Sequence, residues 1–245
     1  MLLALLILGA CACGHPQAVP SPTESAAPAS EAEHKCVVID AGHQRQGDPK
    51  QEPIGPGASE TKPCVSDGTS GRFTGSPEYE LNLAVALKLQ ELLEQRGYRV
   101  VMTRTDNDVN LSNRARAELA AREGGDIFVR IHANGSENSG ANGALTICQT
   151  AANPYNSDLY AKSRALSDAV LDELTANAGC RKEYVWETDT MSGINWCRVP
   201  VTIVEIGYMT NAAEDALLAT DDYRSLIAVG IANGIDRYFR ELSEN

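Results

Sequence analysis

CVVIDAGH, residues 36–43, is a short β-branched run that stops at Asp40, Ala41 and Gly42 and presents His43 directly after the stop. An apolar run of this length, bounded by turn residues, reads as a buried strand. DIFVRIHAN at 126–134 repeats the arrangement, with a largely apolar run over 127–131 followed by His132. VPVTIVEIG at 199–207 repeats it again, with 201–204 followed by Glu205. Helical periodicity occupies the intervals. Ser76 and Pro77 read as a cap and a first helical residue, after which Leu81, Val85, Leu89 and Leu92 recur at helical spacing up to Gly97, placing Glu78 in the first turn. Further strands are expected at 98–102 and 144–148, and further helices at 111–122, opened by Asn110 or Ser112, and at 159–174. Asn211 with Glu214 reads as a capping box before two closing helices, broken near Thr220. This alternation predicts an α/β fold, a single domain with a mostly parallel central sheet flanked by helices on both faces.

Ligands of open parallel sheets bind in the crevice beyond the carboxyl ends of the strands. His43, His132 and Glu205 fall there on three separate strands, and Glu78 can reach the same crevice from the start of its helix. Of the four histidines, His15 and His34 belong to the terminal region, so both histidines of the folded body sit at this one edge. A lone histidine at a strand end is ordinarily just solvated or hydrogen-bonded; the weight rests on the constellation. Two imidazoles and a carboxylate are a common ligand set for a catalytic zinc that keeps one position open for water, and a second carboxylate beside them could move protons. The pattern points to a metallohydrolase.

Away from this edge, residues 44–76 are rich in Gly, Pro, Ser and Thr with little periodicity, which reads as a long irregular excursion. Residues 184–198 read as a polar, aromatic-bearing loop whose Trp186, Asp189, Ser192, Asn195 and Trp196 could rim the crevice, while Arg130 reads as structural. Residues 1–10, MLLALLILGA, are almost wholly apolar but shorter than the roughly 20 residues a membrane span needs, and read as an export signal. The following LGAC resembles the cleavage site of bacterial lipoproteins, which implies a lipid on Cys11, with Cys13 a weaker candidate. Residues 11–35, dominated by Pro, Ala, Ser and Glu, read as a disordered tether, leaving 36–245 as the one catalytic domain. A formal net charge of -12 without a basic cluster argues against a nucleic-acid partner. Cys36, Cys64, Cys148, Cys180 and Cys197 include no C-x-x-C pair, so a cysteine-built zinc site is unsupported. One or two disulfides and buried apolar thiols are both open readings for them.

At its landmark residues the sequence resembles the zinc-dependent N-acetylmuramoyl-L-alanine amidases, bacterial enzymes that cleave the amide between the lactyl group of N-acetylmuramic acid and the first L-alanine of the peptidoglycan stem. The landmarks occur in family order over roughly residues 36–240: VVIDAGH with His43, Glu78 before an NLA-type helix, Thr103 with Arg104, NRA at 113–115, VRIHAN with His132, and VTIVEIGYMTN with Glu205. The resemblance implies one zinc ion held by His43, Glu78 and His132, and Glu205 as the catalytic proton-transfer group. It further implies peptidoglycan as the partner, a monomer, and an extracytoplasmic location, lipid-anchored through Cys11 or secreted to the wall. Two features depart from the pattern. Gln44, Arg45 and Gln46 intervene before Gly47, where many members have glycine directly after the histidine. Glu80 also lies near Glu78, although Glu78 has the family's spacing to Asn82. The alternatives are a zinc peptidase or deacetylase acting on the wall, or a non-catalytic wall-binding protein. A peptidase would need a fixed arginine near the zinc to take a free carboxylate, and Arg45, Arg130 and Arg198 are available.

Overall fold

The computed structural model describes residues 35–244, so the stretch read as an export signal, Cys11 with its expected lipid, and most of the expected tether lie outside the described residues. In chain order the strands are β1 (Cys36–Ala41), β2 (Asp48–Pro53), β3 (Thr61–Val65), β4 (Arg99–Met102), β5 (Ile127–Asn134), β6 (Ala144–Cys148), β7 (Lys182–Glu187) and β8 (Val201–Tyr208). The helices are α1 (Glu78–Gln95), α2 (Asn113–Arg122), α3 (Tyr160–Ala178), α4 (Ser192–Asn195), α5 (Ala212–Leu218) and α6 (Asp221–Ser243). No helix among the described residues is long and apolar enough to cross a membrane.

Six strands form one sheet in the order β4-β1-β5-β8-β6-β7. β4, β1, β5 and β8 are mutually parallel, whereas β6 pairs antiparallel with β8. The reversal has a local cause. Residues 135–143 contain no helix, so the chain leaving β5 starts β6 from the same edge; a parallel return needs a crossover of a dozen or more residues. The crossover α3 then makes β7 parallel to β6.

Successive side chains of a strand point to opposite faces, and both faces here are apolar. Val37, Ile39, Ile127, Val129 and Val204 pack with Leu81, Val85 and Leu89 of α1 and with residues of α3 and α6. Val38, Phe128, Val201 and Ile203 pack instead with Ala117 and Ala120 of α2 and Ile194 of α4. The expected helices on both faces are therefore present.

Several local expectations change. Residues 44–76 carry the β2–β3 hairpin. Pro49, Pro53 and Pro63 argue against strands in sequence, but a two-stranded ribbon leaves each strand one unpaired edge where a missing N–H costs nothing. The 184–198 loop contains most of β7 and all of α4. Pro77, not Ser76, occupies the N-cap of α1, and no side chain caps it. Ser112 caps α2, accepting from Ala115 N. Asn211 caps α5, but Glu214 does not close the box; its carboxylate accepts from Gly143 N and Tyr208 N, tying β8 to the loop before β6. All five cysteines of the described residues are free, with Cys36, Cys148 and Cys197 buried.

Candidate metal centre

The buried run of β1 carries the chain to the sheet edge, where Gly42 N still donates to Ile131 O of β5. A Cβ at position 42 would collide with the His132 ring, so only glycine lets the two segments approach this closely. His43 then turns the chain with φ of 59°, the one non-glycine residue among those described with positive φ. Such a conformation persists only where the surroundings over-determine it.

Two buried arginines supply that constraint. Arg116 donates to the carbonyls of Ala41 and His43 and to Gln44 Oε1. Arg104 donates to the carbonyls of Ala41 and Gly42. Both converge near Asp40, itself fully buried, whose carboxylate accepts from Thr103 Oγ1 at 2.6 Å, Arg116 Nη1 at 2.7 Å and Arg130 Nε at 2.9 Å. Burial alone would raise the Asp40 pKa, but Arg116 and Arg130 overcome it and hold the carboxyl well below the usual range.

On this support three side chains meet. His43 Nε2 lies 3.1 Å from His132 Nδ1 and 3.2 Å from Glu78 Oε1, and His132 Nδ1 lies 3.3 Å from Glu78 Oε1. His43 and Glu78 are aimed by neighbours. His43 Nδ1 bonds Ser66 O at 2.8 Å, so Nδ1 carries the proton and the Nε2 lone pair faces the centre. Glu78 Oε2 accepts from Thr69 N, and Oε1 from Asn82 Nδ2 and Ala133 N. Burial would raise the Glu78 pKa, but His132 and His43 hold it far below the ordinary carboxylate value. Burial pushes His132 down to about 4, keeping the imidazole in the neutral form a metal ligand needs.

The donor set fits zinc. Bonds of about 2.0–2.1 Å in a tetrahedron place ligand atoms roughly 3.3 Å apart, and the three observed separations of 3.1, 3.2 and 3.3 Å match. Among the described residues this trio is the one group able to hold a metal ion. Glu80, the other acid of the first turn, is exposed, and its carboxylate accepts from Tyr79 Oη.

Glu205 stands opposite His132 in the β5–β8 register. Both strands run further than their apolar residues suggest, to Asn134 and Tyr208, so these two residues lie within paired strands and not after them. Backbone pairing does not depend on apolar side chains. Glu205 Oε2 is buried without a hydrogen-bond partner among the described residues, as is His132 Nε2. Burial, reinforced by the nearby Glu78 charge, pushes the Glu205 carboxyl up to about 8.

Two connected spaces open on this centre. A cleft of 890 Å³ includes His43, Glu78, His132 and Glu205 together with Ser66, Asp67, Thr69, Asn134, Ser136 and Thr210. A narrower one of 310 Å³ shares His43, His132 and Glu205 and adds Lys62, Arg130, Thr190 and Ser192. Of the five residues singled out in the 184–198 stretch, Ser192 thus reaches the crevice. Asp189 and Asn195 bond Asn153, Trp196 donates to Pro53 O while stacking on Arg114, and Trp186 lies half exposed on β7. Arg130 pairs with Asp40 as a structural residue would, and it also lines the narrower space. Arg45 and Arg198 are held elsewhere, by Asp108 and Tyr155 O.

Reasoning from sequence did not single out Asp40 or Arg116. The available signal was a charged residue ending a buried run at Asp40, and a basic residue on the apolar side of α2 at Arg116.

The comparisons agree with this geometry. The family model described as N-acetylmuramoyl-L-alanine amidase matches residues 37–237. The N-acetylmuramoyl-L-alanine amidase LytC of Bacillus subtilis is 31% identical over 73% of this chain, which spans 34% of that protein. The N-acetylmuramoyl-L-alanine amidase Rv3717 of Mycobacterium tuberculosis is 29% identical over 86% of this chain and 88% of its own. The crystal structure of the N-acetylmuramyl-L-alanine amidase Ami1 from Mycobacterium smegmatis superposes with a TM-score of 0.78 at 26% identity, covering 86% of this chain and 100% of that one. With the family pattern spanning nearly the whole described domain and the His-Glu-His trio assembled within it, the chain belongs to the N-acetylmuramoyl-L-alanine amidase family.

Proposed function

We propose that the protein is a zinc-dependent amidase that hydrolyses the bond between N-acetylmuramic acid and L-alanine in bacterial peptidoglycan, with His43, Glu78 and His132 as the zinc ligands and Glu205 as the proton-transfer group. The observation that carries the reading is the trio of donor atoms 3.1–3.3 Å apart with a partnerless carboxylate oxygen in the same cleft. Zinc, when bound, lowers the pKa of a water and polarises the amide carbonyl. Ser66 and Asn82 keep the His43 ring and the Glu78 carboxylate turned to the centre. Glu205 accepts the proton of the attacking water and returns it to the departing alanine nitrogen. A carboxyl raised to about 8 by burial suits a group that must hold and release a proton near neutrality.

Peptidoglycan lies outside the cytoplasmic membrane, which agrees with the export-signal reading of residues 1–10. In the finer form of this proposal Cys11 carries a lipid, the enzyme acts as a monomer, and a tether of about 25 residues, with a reach of roughly 25–30 Å, lets the domain work on the adjacent wall. Metabolic labelling with a fatty acid tests the anchor; an unlabelled protein in the medium would leave a secreted enzyme.

Digestion of purified muropeptides by the zinc-loaded protein, read by mass spectrometry, tests the activity. The proposal expects intact stem peptides with a new L-alanine amine and unbroken glycan. Shortened stems still attached to muramic acid would replace it with a peptidase, loss of acetyl groups alone with a deacetylase, and absence of any product with a binding role.

A further inference from the structure

The two spaces that meet at the centre differ in charge as well as in width. The wider cleft carries the acidic side chains Asp67 and Glu137, against one cation, Arg72, among hydroxyl and amide groups from Thr69, Ser70, Asn134 and Ser136. The narrower one has no carboxylate besides the shared Glu205 and is flanked by Lys62 and Arg130, with Ile147 and Ile203 contributing apolar surface. Lys62, on β3, directs its ammonium to Thr190 O at 2.7 Å and meets no carboxylate among the described residues. Arg130 spends Nε on Asp40 and Nη2 on Asn113, which leaves Nη1 without an acceptor among the described residues. Its charge is not cancelled either, because Asp40 is shared between Arg130 and Arg116. Gly193 closes against Nη1 so tightly that any Cβ there would collide with it.

Resting on the amidase reading, we propose that this narrower space is the stem-peptide subsite and that Lys62 and Arg130 together select a free carboxylate on the residue that follows L-alanine. A substrate cut at the muramic acid–alanine amide has a neutral, hydroxyl-rich glycan on one side of the bond and a peptide bearing carboxylates on the other. A polymer that continues in both directions needs the open cleft, whose hydroxyl and amide lining suits sugar. The peptide needs only a short pocket, and its charge matches the cationic one. The spacing agrees as well. Arg130 and His132 are two residues apart on the same face of β5, roughly 6–7 Å along the strand, about the length of two residues of an extended peptide leaving the metal centre. The wall of Ile147 and Ile203 then offers a surface for the alanine methyl.

The test uses two disaccharide–dipeptides that differ only in having a carboxylate or a carboxamide on the second residue, with the zinc-loaded wild type, Lys62→Gln and Lys62→Arg. Glutamine keeps a donor for Thr190 O while removing the charge; arginine keeps both. The wild type should favour the carboxylate by about tenfold in kcat/KM, mainly through KM, as one charge-assisted hydrogen bond would give. Lys62→Gln should bring that ratio near one and Lys62→Arg should restore it. A ratio near one in the wild type, or a Lys62→Gln defect equal on both substrates, would overturn the assignment. Should the wild type cleave neither, the amidase reading itself fails. Calorimetric binding of the two free dipeptides then decides the Lys62 claim alone: about tenfold tighter binding of the carboxylate by wild type and not by Lys62→Gln upholds it, and equal affinities reject it.

Discussion

The Asp40 cluster and the His43 cluster share one turn of the chain but differ in how their polar atoms are satisfied. Both Asp40 oxygens accept hydrogen bonds, and Arg116 divides its donors among a carboxylate, an amide oxygen and backbone carbonyls. At the neighbouring centre, three donor atoms crowd together while His132 Nε2 and Glu205 Oε2 have no partner among the described residues. The fully bonded Asp40 and Arg116 fix a backbone shape; unpartnered atoms at the metal centre stay available for a ligand. The molecule separates the two tasks, letting arginines hold the strained turn so that His43 need not hold itself.

Changing one residue in each cluster should therefore produce different failures. The largest effect belongs to Glu205→Gln, which should lower turnover by about 10²–10⁴-fold while zinc content stays at the wild-type level. Steady-state kinetics beside metal analysis checks this, and near-normal turnover would remove Glu205 from proton transfer. Asp40→Ala should act through stability, because removing one member of a buried ion pair strands the others and costs about 3–5 kcal/mol; urea unfolding measures it. If that variant were as stable as the wild type, the division of labour between the clusters would be lost.

The pH dependence sharpens the same contrast. Asp40 has a folded pKa held far below its unfolded value of about 3.9, so its contribution is present above that pH and lost as pH falls. Wild-type stability should decline below about pH 4, and Asp40→Asn should lack its share of that slope in unfolding experiments run across pH 3–6. The smallest effect is expected at the surface. Arg114 and Glu118 form an i,i+4 pair at 2.7 Å with side chains nearly half exposed, and Glu118→Ala should change stability by less than about 0.5 kcal/mol. A larger loss would mean that burial is not what distinguishes the Asp40 network.

The parallel part of the sheet and three of the four landmark residues were legible because an apolar run ending in a polar group is a local pattern, and each of β1, β5 and β8 carries it; Glu78 was legible from the helical periodicity that begins beside it. The reversal of β6 depended on the short 135–143 connection, a topological consequence with no signature in residue type. The hairpin was hidden because Asp48–Pro53 and Thr61–Val65 are nearly all exposed or half-buried and contain prolines, so neither alternation nor apolar content marks them. Arg116 was hidden for another reason. A basic residue on a helix is nearly always solvated, and its full burial against Asp40 depends on a partner 76 positions away. The Lys62 contact to Thr190 is equally non-local.

Zinc analysis of the wild type and His132→Ala, after dialysis against metal-free buffer and reloading with one equivalent, addresses the metal centre most directly. The account predicts one zinc per wild-type chain and little or none in His132→Ala, with the variant otherwise folded by circular dichroism. A full zinc complement in His132→Ala would contradict the assignment of His43, Glu78 and His132 as the metal site.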